Sequence, residues 1–266
     1  MSHRIFSPAR LAAGIAALTL CVGAGAAIVN VEVTVENLVP ANGISFAPLR
    51  LGFNNGTFDA FNIGQVAGAA IISVAEGGSG SAWLPAFAAA DPTATIGSID
   101  GALLPGQTRS ASFLVDNSTN KFFTFAAMAV PSNDFFIGND SPTRFKLFAD
   151  DGSLQITSIG QKANQIWDAG SEVFDPSAAA FLVIGTNSNR TAQNSVVAFN
   201  FAELAAFNGL TTAPGYVLNS TLAANTDVYR ISFAVTPVPE PESYALMVAG
   251  LLVVGSIAQR RRAKRS

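Results

Sequence analysis

Two aspartates, Asp134 and Asp168, are the residues of this sequence whose type and setting most suggest chemistry. Asp134 follows the uncharged run 122–130, in which Phe, Thr, Met and Val suit a buried strand. Pro131 cannot donate to a strand ladder, so we expect the strand to end there and to hold Asp134 in a rim loop. Asp168 lies in the motif Trp-Asp-Ala-Gly at 167–170 and is the expected partner of Asp134.

Three chemical interpretations of this pair remain open at the level of the residues. Carboxylates and loop carbonyls are the oxygen ligands that hard cations prefer, and Asn133 and Asp140 would add two further oxygen donors. Alternatively, Asp134 and Asp168 only hold turns by accepting backbone N–H bonds. An acid–base pair would need a substrate cleft, and nothing in the sequence indicates one.

Cysteine and histidine usage removes several classes of chemistry. The only cysteine is Cys21 and the only histidine is His3, and both lie in a segment that we expect to be cleaved off. The mature body therefore has no disulfide framework, no zinc site of the usual kind, and no Cys–His or Ser–His–Asp machinery. We expect a protein that is not an enzyme.

The charge is distributed unevenly along the chain. Seven of the 15 basic residues lie in the first ten or the last seven positions, whereas 16 of the 18 acidic residues lie in the body at 27–236. The body therefore carries a net charge of about −8, which should repel nucleic acid and suits divalent cations or cationic partners.

The periodicity of the body predicts an all-β fold. Apolar and polar residues alternate at 29–37, 111–115 and 229–235, as in half-buried strands. The strand at 122–130 is predicted to form a hairpin with the strand before it, and 81–90 is a short helix candidate. Turns separate these segments and there are no long amphipathic helices, so we predict an antiparallel β-sandwich. Further short strands are predicted at 144–148, 153–158, 180–184 and 196–201.

The N-terminus has the pattern of a secretory signal peptide, predicted at residues 1–26. Arg4 and Arg10 supply a positive end, 11–22 supplies an apolar core, and Ala-Gly-Ala at 24–26 supplies a cleavage site. Twelve apolar residues are short for a membrane span of ~20. The folded domain is predicted to occupy residues 27–236.

The C-terminus, residues 237–266, has three successive parts. A Pro-rich linker contains Pro239, Glu240 and Pro241, an uncharged apolar stretch follows at 244–258, and a basic cluster ends the chain at 260–265. An apolar stretch before a basic cluster is typical of a transmembrane helix with its basic end in the cytoplasm. An ordinary single-span anchor is the alternative interpretation of this pattern.

The order of these three parts also closely resembles the PEP-CTERM sorting signal. That resemblance implies a Gram-negative bacterium and processing by a membrane enzyme of the exosortase type. It also implies association with exopolysaccharide or a biofilm matrix. The protein would be exported across the inner membrane, held there as an anchored precursor, and then moved to the cell surface or the extracellular space.

Four segments of the body together resemble the spondin domain, which is found in extracellular-matrix proteins and in bacterial secreted proteins. The likeness covers roughly residues 29–236, and the segments match in order and spacing. They are VTVENLVP at 33–40, LGFNNGTFDAFNIG at 51–64, VPSNDFFIG at 130–138 and WDAGSE at 167–172.

The spondin resemblance implies a fold and a metal. The family fold is an antiparallel β-sandwich similar to C2 domains, and eukaryotic members carry calcium at one end of it. Their aspartate ligands match Asp134 and Asp168 here. A further acidic ligand comes from the strand before the loop hairpin, and Asp116 is the nearest acid to that position. The disulfide cysteines of animal members are missing.

These observations together predict an exported surface or extracellular-matrix protein with a binding or structural role. It would be stabilised by calcium and processed by an exosortase, with exopolysaccharide or matrix proteins as partners. The alternative function is a secreted hydrolase that depends on a metal or on the two carboxylates and acts on matrix glycans.

Overall fold

The computed structural model describes residues 28–238 and 241–263, and the chain in these ranges is mostly β. It contains helices α1 (Ala69–Ala75), α2 (Trp83–Ala90), α3 (Phe201–Ala206) and α4 (Pro241–Ala263). The strands are β1 (Ile28–Asn37), β2 (Ser45–Phe46), β3 (Leu49–Asn54), β4 (Thr95–Ile99), β5 (Thr108–Asp116), β6 (Phe122–Val130), β7 (Phe135–Gly138), β8 (Ser158–Lys162), β9 (Trp167–Asp168) and β10 (Asp227–Pro237).

The first sheet has four antiparallel strands in the order β5-β1-β10-β8. In β1 the valines at alternate positions are buried, because successive side chains of a strand point to opposite faces. Val33 pairs with Phe233 of β10, so the apolar faces of both strands point to the same side of the sheet. This sheet therefore has one apolar face, as its alternating sequences predict.

The second sheet has the order β4-β3-β6-β7-β9, with β2 also paired to β6. Strand β6 is buried along almost its whole length. One face packs against the first sheet, where the rings of Phe123 and Phe233 lie 4.9 Å apart. The other face, which includes Ala126, joins a second apolar cluster with Trp83 and Phe87 of α2. Two covered faces explain why 122–130 is apolar throughout.

The two antiparallel sheets confirm the coarse prediction of a mostly β fold with two packed sheets. The predicted hairpin between 111–115 and 122–130 is wrong, because β5 belongs to the first sheet and β6 to the second. The turn between them crosses from one layer to the other. Four predicted strands, at 144–148, 153–158, 180–184 and 196–201, form mainly isolated bridges instead. Strands β4, β7, β8 and β9 were not predicted.

Both predicted sorting segments fall partly or wholly outside the described residues. The signal peptide at 1–26 lies outside them, as do Pro239 and Glu240 of the C-terminal motif, whereas Pro241 is the first residue of α4. The apolar stretch 244–258 lies within α4. None of the helices in 28–238 and 241–263 has both the length and the apolar character needed to cross a membrane, which differs from the spanning helix expected at 244–258.

Candidate carboxylate site

Asp134 lies in the tight connection between β6 and β7. Its side chain is only 2% exposed, because the connection is folded inward. The Ser132 hydroxyl donates to the carbonyl of Ala129 at 2.6 Å and accepts the N–H of Phe135 at 3.1 Å. These bonds close the turn on itself and direct Asp134 towards the segment after β9.

The carboxylate of Asp134 is bound by backbone and side-chain donors from that segment. Its Oδ2 accepts the N–H of Ser171 at 2.7 Å, the hydroxyl of Ser171 at 3.1 Å and the N–H of Glu172 at 3.0 Å. The backbone carbonyl of Asp134 also accepts the N–H of Ala169 at 3.1 Å. Asp134 therefore fastens the loop after β9 to the end of β6, across 37 residues of sequence.

Asp168 comes to the same place through strand pairing. It pairs with Phe135 of β7, the residue after Asp134, so the sheet register brings the two aspartates together. Its Oδ1 accepts the N–H of Gly170 at 2.7 Å, and its Oδ2 lies 3.4 Å from Nδ2 of Asn200. Each aspartate therefore uses mainly one of its two oxygens in hydrogen bonds.

The charges of this site repel one another. Burial, and then the nearby charge of Asp168, raise the pKa of Asp134 from 3.8 to about 7, against the hydrogen bonds from Ser171 and Glu172. Burial and the same charge also raise the pKa of Glu203. The site therefore favours a bound proton or a cation over three bare negative charges.

Glu203 is the acid that the sequence interpretation missed. It lies in the first turn of α3, and its Oε1 accepts a hydrogen bond at 2.7 Å from Asn200, the residue at the N-cap position of this helix. An Asn followed three residues later by Glu is a sequence pattern typical of a helix start. That pattern could have located α3, but not its position beside Asp168. We define the carboxylate site as Asp134, Asp168 and Glu203.

Asp116 does not lie with the other two predicted ligands. It is at the end of β5, beside the turn that leads into the first residue of β6, whereas Asp134 follows the last. Nine residues of strand separate these ends, or about 30 Å at about 3.3 Å per residue. Asp116 accepts hydrogen bonds from Ser118 and Thr119. Burial raises its pKa, but these bonds together lower it.

The two further oxygen donors expected from the sequence are also used elsewhere. The side chain of Asn133 donates to Glu172 and to the carbonyl of Asp175, and it accepts the N–H of Asp175. Asp140 lines a separate groove. Across the described parts of the chain, no group of three or more His, Cys, Asp or Glu side chains is arranged closely enough to hold a metal ion.

A second charged network lies next to the carboxylate site. Glu172 is 4% exposed, and burial raises the pKa of its carboxyl group above the usual range. The guanidinium of Arg190 lies 3.8 Å from Glu172 and also pairs with Glu76, just after α1. This ion pair compensates the buried charge and joins the loop after β9 to the helical layer.

The fold and the site together define a class of protein: a mostly β domain with two antiparallel sheets and a buried carboxylate site that joins two strand ends. Comparison of the chain with protein-family models and with curated proteins finds no match. The function is therefore argued from the geometry above and from the resemblances carried by the sequence motifs.

Proposed function

We propose that this protein is an exported surface or extracellular-matrix protein with a binding or structural role, built on a spondin-like domain and stabilised by calcium. The observation that carries this proposal is the direct bonding of Asp134 to Ser171 and Glu172. These residues belong to two of the segments on which the spondin resemblance rests. Their contact at one end of the body supports a shared structural site.

The donor set fits a hard cation in part. The Oδ2 of Asp134 accepts its hydrogen bonds, so its Oδ1 remains available to a cation. The Oδ2 of Asp168 has only a long contact with Asn200. Calcium takes about six to eight oxygens, so the carboxylates of Asp134 and Asp168 would supply some of its ligands and water the rest. A bound cation would supply the positive charge that relieves the repulsion described above.

The same contacts favour a structural role over the alternative of a hydrolase. A catalytic carboxylate must reach a substrate, but Asp134 is buried and one of its oxygens already accepts three hydrogen bonds. Its partners are parts of its own fold. We therefore propose a protein that is not an enzyme.

The sequence of the C-terminus supports the proposed destination. The order of Pro-Glu-Pro, apolar segment and basic cluster resembles a PEP-CTERM signal and suits recognition by an exosortase-type enzyme. The acidic body suits a matrix that contains divalent cations and does not suit nucleic acid. Exopolysaccharide or matrix proteins are the proposed partners.

Thermal unfolding with calcium or with a chelator tests the calcium part. Calcium at about 100 times its Kd should raise the free energy of unfolding by about 2.7 kcal/mol. For a domain of this size this corresponds to a rise in Tm of roughly 5–10 °C. Asp134→Ala should abolish this shift. Asp116→Asn is the matched control and should retain it, because Asp116 lies at the other end of β6. An equal Tm with calcium and with chelator would refute calcium stabilisation.

Mass spectrometry of the surface protein from an exosortase-containing host tests the destination. We expect the recovered chain to lack the basic residues 260–265, and we expect alanine at Pro239 and Glu240 to block this processing. An intact C-terminus on the released wild-type protein would contradict the proposed sorting.

A further inference from the structure

A groove outside the carboxylate site lies where the chain passes from one sheet to the other. Strand β8 ends at Lys162, a single 3-10 turn covers 163–165, and β9 begins at Trp167. The loop that follows β7 forms the opposite wall. The groove has a volume of about 380 Å³, within the range of about 300–1,000 Å³ typical of ligand sites. We call it the Trp167 groove.

The polar side chains of the Trp167 groove have unused hydrogen-bonding capacity. Within the described residues, the guanidinium of Arg144 forms no hydrogen bond or ion pair and only lies 5.5 Å from the ring of Phe145. The side chains of Asp140 and Asn164, which also line the groove, likewise form no hydrogen bond in this part of the chain. These planar groups are free to bind a polar ligand.

Trp167 gives the groove a flat apolar wall. Its indole is half-buried and packs on the cluster formed with α2, which fixes its orientation. A partly exposed aromatic ring provides a large apolar surface at little cost in side-chain entropy. The C–H faces of a sugar ring can pack on such a surface. The hydroxyl groups of the sugar can form hydrogen bonds with the carboxamide of Asn164 and the carboxylate of Asp140.

The charges of the groove differ from those of the rest of the body. Arg144 and Lys162 contribute two cations, and Asp140 contributes one carboxylate. Lys162 is already paired with Asp227 at 3.1 Å, so Arg144 is the cation available to a ligand. A guanidinium binds carboxylates through two parallel hydrogen bonds.

We propose that the Trp167 groove binds an acidic saccharide, with a uronic-acid carboxylate on Arg144 and the sugar ring against Trp167. This inference rests on the proposed matrix role and specifies its ligand as an anionic polysaccharide. It requires no metal and no contribution from Asp134 or Asp168.

The two tryptophans of the chain provide the assay. Trp83 is fully buried under the second sheet, whereas Trp167 lines the groove, so a ligand-dependent change in fluorescence reports Trp167. The full-length protein is titrated with a short oligogalacturonate and, separately, with a neutral cello-oligosaccharide of the same length. We expect saturable binding of the acidic ligand, weakened as salt rises from about 0.05 M to about 0.5 M.

Substitution of the arginine locates the site. Arg144→Gln is expected to weaken oligogalacturonate binding by about tenfold or more, because a charged hydrogen-bonding partner is lost. Lys146→Gln is the matched control, since Lys146 carries the same charge two residues further along but pairs with Asp150. This control should bind with wild-type affinity.

Three results would overturn the proposal: no binding of oligogalacturonate, equal binding of the neutral ligand, or equal affinity of Arg144→Gln and wild type. A parallel sedimentation assay with insoluble matrix polysaccharide separates this failure from failure of the proposed function. If Arg144→Gln co-sediments as well as wild type, the protein still binds the matrix, but the Trp167 groove is not its binding site. Loss of co-sedimentation in Arg144→Gln but not in Lys146→Gln would support both the matrix role and the binding of saccharide in the Trp167 groove.

Discussion

Replacing Asp168 with asparagine is expected to reduce the pH dependence of the stability of this protein. The substitution preserves the shape of the side chain and an oxygen that can accept the N–H of Gly170, but it removes a charge beside Asp134. Of the two causes that raise the pKa of Asp134, burial remains and the repulsion from Asp168 is lost.

The direction and size of the effect follow from proton linkage. The folded state binds the proton of Asp134 more tightly than the unfolded state, since its pKa rises from 3.8 to about 7. The stabilisation that comes from this tighter proton binding is complete below pH 3.8. It is lost as the pH rises through about 7. A shift of about three units corresponds to at most about 4 kcal/mol. In Asp168→Asn the loss should be smaller, so the variant should be more stable than wild type at about pH 8.

Chemical denaturation from about pH 4 to about pH 8 in the presence of a chelator measures this difference. Asp151→Asn is the control. The carboxylate of Asp151 accepts a hydrogen bond from Ser153, and this bond lowers its pKa, so it stays ionised over this range. Its removal should leave the pH profile unchanged. Equal pH profiles for wild type and Asp168→Asn, or a wild-type stability that rises with pH, would refute the reasoning.

Three further substitutions test the packing of the fold by chemical denaturation. Phe123→Ala should cost about 3–5 kcal/mol, because it leaves a cavity between the sheets. Gly52→Ala should cost about 1–3 kcal/mol, because its Cβ would lie 2.3 Å from a ring of α2; Gly160→Ala meets no atom within 4 Å and should cost less. Arg190→Gln should cost about 1–3 kcal/mol by leaving Glu172 buried without its cation. A neutral result in any of these would contradict the corresponding contact.

The strands that alternate or that are wholly apolar were the predictable part of the fold. The patterns at 29–37 and 122–130 correspond closely to β1 and β6. Burial of one face produces an alternating sequence and burial of both faces produces an apolar run, and both patterns are local. Periodicity does not encode strand order, and this is why the predicted hairpin between β5 and β6 was wrong. The short strand β7 was also missed, because its residues directly follow the turn and were assigned to the loop after β6.

The candidate site was predictable in the same partial way. The turn after Pro131 places Asp134 at a strand end, and the sequence indicated this position. Asp168 comes next to Asp134 through the pairing of β9 with β7, and Glu203 comes near Asp168 through the placement of α3. Asp116 was assigned as the acid nearest to the ligand position that the spondin resemblance implies, but strand β6 separates it from Asp134.

The amino-acid sequence by itself determined the extent of β1 and β6, the absence of Cys and His from residues 27–236, and which aspartate follows the proline that ends β6. These are local properties of composition and backbone geometry. Only the tertiary structure decided that Asp134 binds Ser171, that Asp116 is remote, and that Arg144 and Trp167 share a groove. Such contacts depend on sheet order and on the packing of distant segments, which become defined only when the whole core is formed.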